Sequence, residues 1–252
     1  MKHSSSSLLR SLNRIGWIYA YVGLLYALYF IYFIVVPVYR EQDRLSSGRY
    51  FFFNVIFLYF FLQGYFNLIR TSFSSISWTN QIQSLNDHCR YCCHAIYGRS
   101  HHCHLCRRCI PLRDHHCFFV GTCIGQHNQL AFLLMLFHLF IAHLIGYSFV
   151  CEYLWNELGG FHWSTIPKIF YFNVGYLLGF VESKWQAFIC VHHYLVYFDI
   201  VFLGNLFVQI TRRTLNGQTA YEEKRMIPGQ RMSLMQMISL NKWNFIFPFR
   251  PL

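Results

Sequence analysis

Charged residues are scarce in this chain of 252 residues. They make up 12% of it, whereas 55% of the residues are hydrophobic and 20% are aromatic. The mean hydropathy of +0.29 excludes an ordinary soluble protein. We predict four transmembrane helices, because four stretches with at most one charged residue approach or exceed the roughly 20 residues that cross a bilayer: Ile15 to Val38, Phe51 to Ile69, Leu130 to Cys151 and Gln186 to Ile210.

Several signals of other protein classes are missing. No small-residue cleavage site follows the first apolar stretch, so we expect an uncleaved anchor and not a signal peptide. There is no internal repeat, and no PDZ-type or ankyrin module. The chain has 21 Lys and Arg against 10 Asp and Glu, but no basic soluble domain. We therefore expect the excess charge to face anionic lipid headgroups of the bilayer, and we expect no nucleic acid as a partner.

Basic residues are unevenly distributed among the loops. They are frequent in both tails and in a cysteine-rich loop after the second span, whereas the loop after the third span has only Lys168 and Lys184. The positive-inside rule then predicts cytosolic N- and C-termini and a cytosolic cysteine-rich loop, where thiols stay reduced. We expect an integral multi-pass protein of the endoplasmic reticulum or Golgi. A further apolar stretch, Ile166 to Val181, is predicted to be interfacial or re-entrant, because a fifth crossing would reverse the basic C-terminal tail.

These signals divide the chain into four parts. Residues 1–70 hold the N-terminal tail and the first two spans, and residues 71–129 form the cytosolic Cys/His-rich domain. Residues 130–210 hold the last two spans with a non-cytosolic loop, and residues 211–252 form a cytosolic tail.

Eight of the ten cysteines lie between Cys89 and Cys123. Three Cys-x2-Cys steps begin at Cys89, Cys103 and Cys106, and histidines lie among them. A Cys-x2-Cys step lets a tight turn direct two thiolates at one ion about 2.3 Å away, whereas unrelated buried cysteines would not be spaced so regularly. A RING-type ligase module would need a final Cys-x2-Cys pair, and only Cys123 is present. Together with the histidines among them, these cysteines outnumber the eight ligands that two tetrahedral sites take, which favours both metal binding and thiol chemistry.

The segment Asp114-His115-His116-Cys117 is the candidate for that thiol chemistry. In an extended chain alternate residues share a face, so His115 and Cys117 would lie on one side and His116 on the other. A free thiol with its ordinary pKa of about 8.5 is mostly protonated at neutral pH, and an adjacent imidazole lowers that pKa or takes the proton. Alternation alone would place Asp114 on the side of His116, so its contact with His115 needs a local bend.

From Cys89 to Phe132 the chain resembles the DHHC family of protein S-acyltransferases (palmitoyltransferases). It matches every named position of Cys-x2-Cys-x9-His-Cys-x2-Cys-x2-Cys-x4-Asp-His-His-Cys-x5-Cys-x4-Asn-x3-Phe. The resemblance implies a mainly α membrane protein, with four transmembrane helices and a cytosolic cysteine-rich domain of short β-hairpins binding two structural zinc ions. The implied ligands are Cys89, Cys92, His102 and Cys109 for one ion, and Cys103, Cys106, His116 and Cys123 for the other. Surface or packing roles remain for Cys93, His94, His101, His104 and His127, although Cys93 is an alternative to Cys92.

The implied reaction is S-acyl transfer in two steps. The Cys117 thiolate attacks palmitoyl-CoA or another long-chain acyl-CoA and becomes acylated, which makes the protein itself a lipoprotein carrying palmitate. A membrane-proximal substrate protein then accepts the acyl group on a cytosolic cysteine. His115 would act as the base, and Asp114 would orient it and stabilise its charge. Candidates for the CoA phosphates, each also explicable as positive-inside charge, are Arg107, Arg108, Arg113, Arg212 and Arg213.

Five departures from the family pattern keep a second function open. None touches a predicted ligand, Asp114, His115 or Cys117. They motivate the alternative of a catalytically weak or inactive membrane scaffold or accessory protein that retains the zinc fold. A zinc-dependent ligase or hydrolase is a weaker third choice, because the cluster has no RING ending and no open metal position. The departures are Phe118-Phe119 for Pro-Trp, Thr122 for Asn, Ile96-Tyr97 for Lys-Pro, a missing Asp-Pro-Gly after the second span, and Ala220 in Thr219-Ala220-Tyr221-Glu222 for the second Thr of Thr-Thr-x-Glu.

Polar side chains inside the predicted spans are a last set of candidates. His192 and Asp199 are seven residues apart and share a helix face, and ionisable groups within a membrane are functional candidates by default. We do not favour a functional role, because His192 and His193 lie near the far-side end of the span and would reach the interface. Cys151 and Cys190 are predicted to lie at the same end of their spans, and we favour two buried free thiols over a disulfide.

Overall fold

The computed structural model describes residues 2–37, 47–74, 89–92, 99–157, 174 and 184–227. Its described part has four long helices, each containing a segment long and apolar enough to cross a membrane. The mainly α fold class with four spans is therefore confirmed. The stretch Ile166 to Val181 lies outside the described residues apart from Val174. The long helices are α1 (Lys2–Tyr29, continued by a π-helix over Phe30–Val35), α2 (Ser47–Phe73), α3 (Gln129–Glu157) and α4 (Lys184–Leu215), and a short α5 covers Ala220–Lys224.

The outward faces of these helices are apolar. Phe33, Phe51 and Phe52 are 70%, 64% and 65% exposed, and similar side chains recur along all four spans. Contiguous apolar surface of this kind marks a membrane or partner interface in a folded protein. Helices that are apolar on every face belong in a large core or in a bilayer, and the length of these helices favours the bilayer.

Two short antiparallel hairpins form the cysteine-rich domain. Strand β1 (Ser100–Cys103) pairs with β2 (Arg108–Pro111), and β3 (His115–Cys117) pairs with β4 (Thr122–Ile124). The registers place His102 opposite Cys109, and His116 opposite Cys123. Directly opposed residues have Cβ atoms about 4.5–5.5 Å apart, so each hairpin brings one His/Cys pair together.

The described residues fall into two units. The first takes in the chain up to Tyr26, from Gln63 to Leu136 and from Leu206 onward, and it contains both hairpins. The second comprises Ala27–Leu62 and Phe137–Asn205.

Aromatic rings fill the second unit. Phe53 lies 3.9 Å from Phe149 and 5.3 Å from Phe57 between ring centroids. His192 stacks on Phe30 at 4.4 Å and donates a hydrogen bond from Nδ1 to the carbonyl oxygen of Phe188 at 2.7 Å. His192 therefore packs against an aromatic ring of this unit.

Other polar side chains of the second unit have different surroundings. Asp199 interacts electrostatically with His143 of α3, a partner that helix periodicity within α4 could not indicate. Cys151 and Cys190 are free thiols, as we favoured.

Candidate metal centres and nucleophile

The first metal group joins the Cys89–Cys92 turn to the β1–β2 hairpin. Nδ1 of His102 lies 3.6, 3.2 and 4.0 Å from the Sγ atoms of Cys89, Cys92 and Cys109, and the sulfurs of Cys92 and Cys109 are 3.7 Å apart. Ligands about 2.0–2.3 Å from zinc, at the corners of a tetrahedron, lie about 3.5–3.8 Å from one another. The donor set and its spacing therefore fit a zinc ion.

The second metal group is built across the two hairpins. Nδ1 of His116 lies 3.6, 3.3 and 3.6 Å from the Sγ atoms of Cys103, Cys106 and Cys123, and the sulfurs of Cys106 and Cys123 are 3.6 Å apart. In each group all four donor atoms lie within 4.8 Å of one another. Four protein ligands leave no open coordination position, which is typical of structural zinc.

These two groups contain the same eight residues that the resemblance to the DHHC family implies as zinc ligands, divided in the same way. Cys92 lies in the first group, while its alternative Cys93 lies outside the described residues, as does His94. His101 stacks on Tyr221 of α5 with 3.7 Å between ring centroids, and His104 packs edge-on against Tyr91 at 4.7 Å. His101 and His104 therefore have packing contacts outside both metal groups.

The candidate nucleophile, Cys117, is the buried last residue of β3. Its thiol is hydrogen-bonded to the side chain of His115. Nδ1 of His115 lies 2.7 Å from Oδ2 of Asp114, which leaves Nε2 for the thiol. Burial alone would lower the pKa of His115, but the hydrogen bonds to Asp114 and Cys117 raise this pKa to about 9.

Asp114 is almost fully buried, at 4% exposure, and it has three donors. Its Oδ1 accepts from the backbone N–H of Ala220 at 2.6 Å, and its Oδ2 accepts from His115 and, at 3.5 Å, from Nη1 of Arg213. Burial tends to raise the pKa of Asp114, but these partners together hold it below its ordinary value. The predicted Asp114–His115 contact is present because β3 begins at His115, so strand alternation does not extend to Asp114.

The segment around Ala220 is held by an ion pair distant in sequence. Nε and Nη2 of Arg99 donate to the two carboxylate oxygens of Glu222 at 2.6 and 2.7 Å, and Nη2 also donates to the carbonyl oxygen of Gly217 at 2.9 Å. Thr219 caps α5, and its own N–H donates to Glu222 at 2.9 Å. Ala220 stands where the pattern Thr-Thr-x-Glu has its second threonine. It still contacts Asp114, because the donor is its backbone N–H.

The Arg99–Glu222 pair gives a stability prediction. Glu222 is 2% exposed, so Arg99→Gln leaves a buried carboxylate without its cation, and we expect a loss of about 3–5 kcal/mol in the free energy of unfolding. Arg99→Gln/Glu222→Gln should recover part of this loss in denaturant or thermal unfolding of the purified protein. Because pairing holds the pKa of Glu222 below 4.5, the stabilisation should be present above pH 4.5 and be lost as the pH falls below it. The control is Arg90→Gln, at an exposed position; an equal loss in both single variants would contradict the prediction.

Two further residues of the sequence motif position the site. Oδ1 of Asn128 accepts from the N–H of Gly125 at 3.0 Å, while its Nδ2 donates to the carbonyl oxygens of Cys123 and Thr71. Asn128 thus ties the second metal hairpin to the end of α2. Phe132 lies edge-on to the His115 ring at 5.7 Å, which helps to bury that imidazole.

The geometry of the site agrees with a comparison with protein families. The DHHC palmitoyltransferase model matches residues 82–226, which is more than half of the chain. The chain belongs to the DHHC palmitoyltransferase family. A comparison with curated proteins found no match. The family match spans both metal groups, Asp114 to Cys117 and the tail up to Glu222, so the predicted family is confirmed.

The five candidate arginines for CoA have different surroundings in this DHHC domain. Arg107, Arg108 and Arg212 are exposed. The side chain of Arg113 is hydrogen-bonded to Cys123 of the second metal group. Arg213 is directed towards Asp114 and lies 3.8 Å from the carboxylate of Glu223.

Proposed function

We propose that this DHHC protein is a protein S-acyltransferase that moves a long-chain acyl group from acyl-CoA to protein cysteines through an acyl-Cys117 intermediate. The observation that carries the proposal is the hydrogen-bonded series Asp114–His115–Cys117 in a member of this family. A nucleophile, a base and a group that orients the base are the requirements for covalent acyl transfer.

In the first step His115 takes the proton of the Cys117 thiol. The sulfur then attacks the carbonyl carbon of the acyl-CoA thioester, a new thioester forms on Cys117, and the CoA thiolate leaves and recovers the proton. The raised pKa of His115, about 9, favours the imidazolium that this step creates. Asp114 stabilises that cation and fixes the ring orientation.

In the second step a cysteine of the substrate protein gives its proton to His115 and attacks the acyl-Cys117 thioester. The bond to Cys117 breaks, and the thiolate of Cys117 takes the proton back through His115. The acyl acceptor would be a cytosolic cysteine of a membrane-proximal protein, with the termini of the enzyme also cytosolic and the protein in the endoplasmic reticulum or Golgi.

The two metal groups would stabilise the fold of the domain and take no part in the chemical steps. Zinc ions bound by these two groups would act as structural cross-links, since all four positions are filled by protein ligands. The chain itself supplies the reacting thiol, the base and the apolar surroundings, which include Phe118 and Phe119 directly after Cys117. CoA phosphates would lie near Arg107, Arg108 and Arg212, whose exposed guanidinium groups suit an anionic ligand.

The scaffold alternative is less well supported. It depends on departures such as Phe118-Phe119 and Ala220, yet the backbone of Ala220 donates to Asp114. The three residues required for acyl transfer have their hydrogen bonds in place.

The positions of Arg212 and Arg213 lead to a kinetic prediction. Arg213→Gln removes a charged donor from Asp114, so we expect kcat to fall about five- to tenfold, while KM for acyl-CoA stays within about twofold. Arg212→Gln should instead raise KM for acyl-CoA and leave kcat nearly unchanged, since its exposed side chain suits a phosphate. Steady-state release of CoA over a range of acyl-CoA concentrations measures both constants. A rise in KM with an unchanged kcat in Arg213→Gln would show that Arg213 binds CoA.

A further inference from the structure

The first helix contacts the β3–β4 hairpin through one face. Asn13, Gly16 and Trp17 have the i, i+3, i+4 spacing that places residues on the same side of a helix. Oδ1 of Asn13 lies 2.9 Å from Nε2 of His116, and Nδ2 of Asn13 lies 3.4 Å from the carbonyl oxygen of Gly121. A single amide therefore bridges a strand and the turn of the same hairpin.

Close backbone approach sets the position of this amide. A Cβ added at Gly16 would lie 3.0 Å from the carbonyl oxygen of Phe118. Gly121 has a φ of 73° in the turn, and a Cβ there would lie 3.0 Å from Cδ1 of Trp17. Both distances are short, so the helix and the turn approach each other closely near Asn13. The Gly121 carbonyl needs a donor, which directs Nδ2 towards it and Oδ1 towards His116.

The two ring nitrogens of His116 have different partners. Nδ1 faces the sulfurs of Cys103, Cys106 and Cys123 at 3.3–3.6 Å. An imidazole that ligates a metal through Nδ1 carries its hydrogen on Nε2, and the hydrogen bond made by that N–H fixes the tautomer and the ring orientation. The acceptor at Nε2 is Oδ1 of Asn13.

We propose that Asn13 is a positioning residue for the second metal group, so that the first helix is part of the metal centre of the domain. Its acceptor oxygen holds His116 in the tautomer and the orientation that ligation requires. The proposal rests on the assignment of zinc to the second group and not on acyl transfer, so it can be tested even if the protein transfers no acyl group.

The first metal group provides an internal control. The ring of its histidine, His102, stacks on Tyr91 at 4.9 Å, and Asn13 is not among its ligands or ring contacts within the described residues. Loss of the Asn13 acceptor should therefore affect one zinc and spare the other. General destabilisation of the domain would affect both.

The experiment follows zinc release from the full-length zinc-loaded protein in detergent. A chromogenic chelator measures the release rate, and mass spectrometry with an alkylating reagent identifies which cysteines become accessible. In Asn13→Leu we expect one equivalent of zinc to leave about 10–100-fold faster, with Cys103, Cys106 and Cys123 alkylated before the cysteines of the first group. Asn13→Asp keeps an acceptor for Nε2 and should stay within about threefold of the wild-type rate on the same ground.

Leu12→Ala, at the neighbouring exposed position, should release both ions at the wild-type rate. Selective loss from the second group in Asn13→Leu, with recovery in Asn13→Asp, supports the proposal. Wild-type release of both ions in Asn13→Leu would overturn it. Equal acceleration in the two groups would also overturn it, because Asn13 would then act on the fold as a whole and not on His116.

Discussion

Cys117→Ser is expected to abolish acyl labelling of this protein. The wild-type protein, incubated in detergent with a labelled long-chain acyl-CoA, should acquire a label that hydroxylamine removes, as expected for a thioester. A serine hydroxyl is a far weaker nucleophile than a cysteine thiol, which the His115–Asp114 pair can deprotonate. Label should therefore fall to background in Cys117→Ser, as measured by gel fluorography or intact-mass spectrometry.

The matched control for this experiment is Cys151→Ser. Cys151 is a free thiol in α3, outside the proposed catalytic residues, so the variant should be labelled like the wild type. Undiminished label in Cys117→Ser would remove Cys117 as the acylated residue. A wild-type protein that holds two zinc ions but takes no label at all would instead favour the scaffold function.

Acyl transfer needs a second measurement, because labelling reports only the first step. A membrane-anchored peptide with one cysteine near the bilayer should acquire label from the wild-type protein, and a serine version of the same peptide should not. Label that accumulates on Cys117 and never reaches the peptide would indicate a protein that has kept the first half-reaction alone.

The metal groups could be predicted from the sequence in two steps. The Cys-x2-Cys spacing indicates metal binding, and the resemblance to the DHHC family implies how the eight ligands divide between two ions. The four spans could be predicted equally well, because hydropathy identifies apolar stretches that are long enough to cross a bilayer. The first helix begins at Lys2, well before the predicted apolar stretch from Ile15, because hydropathy marks the apolar part of a helix and not the helix ends.

Contacts between distant segments could not be predicted in this way. Arg99 and Glu222 are 123 residues apart in sequence, and Asn13 and His116 are 103 apart. No periodicity in one sequence relates such positions; paired substitutions among relatives would be the signal that could reveal them. The Asp114–His115 contact contradicts simple alternation for a local reason. Leu112 has a φ of 45°, so the chain turns just before β3 and Asp114 enters from outside the strand.

Replacement of His116 should remove zinc from the protein, whereas replacement of its neighbour Cys117 in β3 should not. This contrast is the most direct test of the metal assignment. Elemental analysis of the wild type should give about two zinc ions per chain, since eight ligands fill two four-coordinate sites. His116→Ala, like Cys103→Ala, should lose at least one zinc and lower the thermal unfolding midpoint, because zinc binding to such sites contributes about 10–16 kcal/mol of apparent free energy in small zinc-finger peptides. Cys117→Ala should keep both ions.

The contrast depends on the two sides of one short strand. His116 faces three sulfurs and the first helix, whereas Cys117 hydrogen-bonds to His115 and lies outside both metal groups. If Cys117→Ala also lost zinc, its thiol would be a ligand and not a free nucleophile, and the acyl-enzyme mechanism would lose its reacting group. If the wild type held a single zinc ion, one group would be a cluster of reduced thiols without a metal, and the division into two zinc sites would be wrong. Zinc content and cysteine accessibility, measured on the wild type and these three variants, therefore decide both the division of the ligands and the identity of the nucleophile.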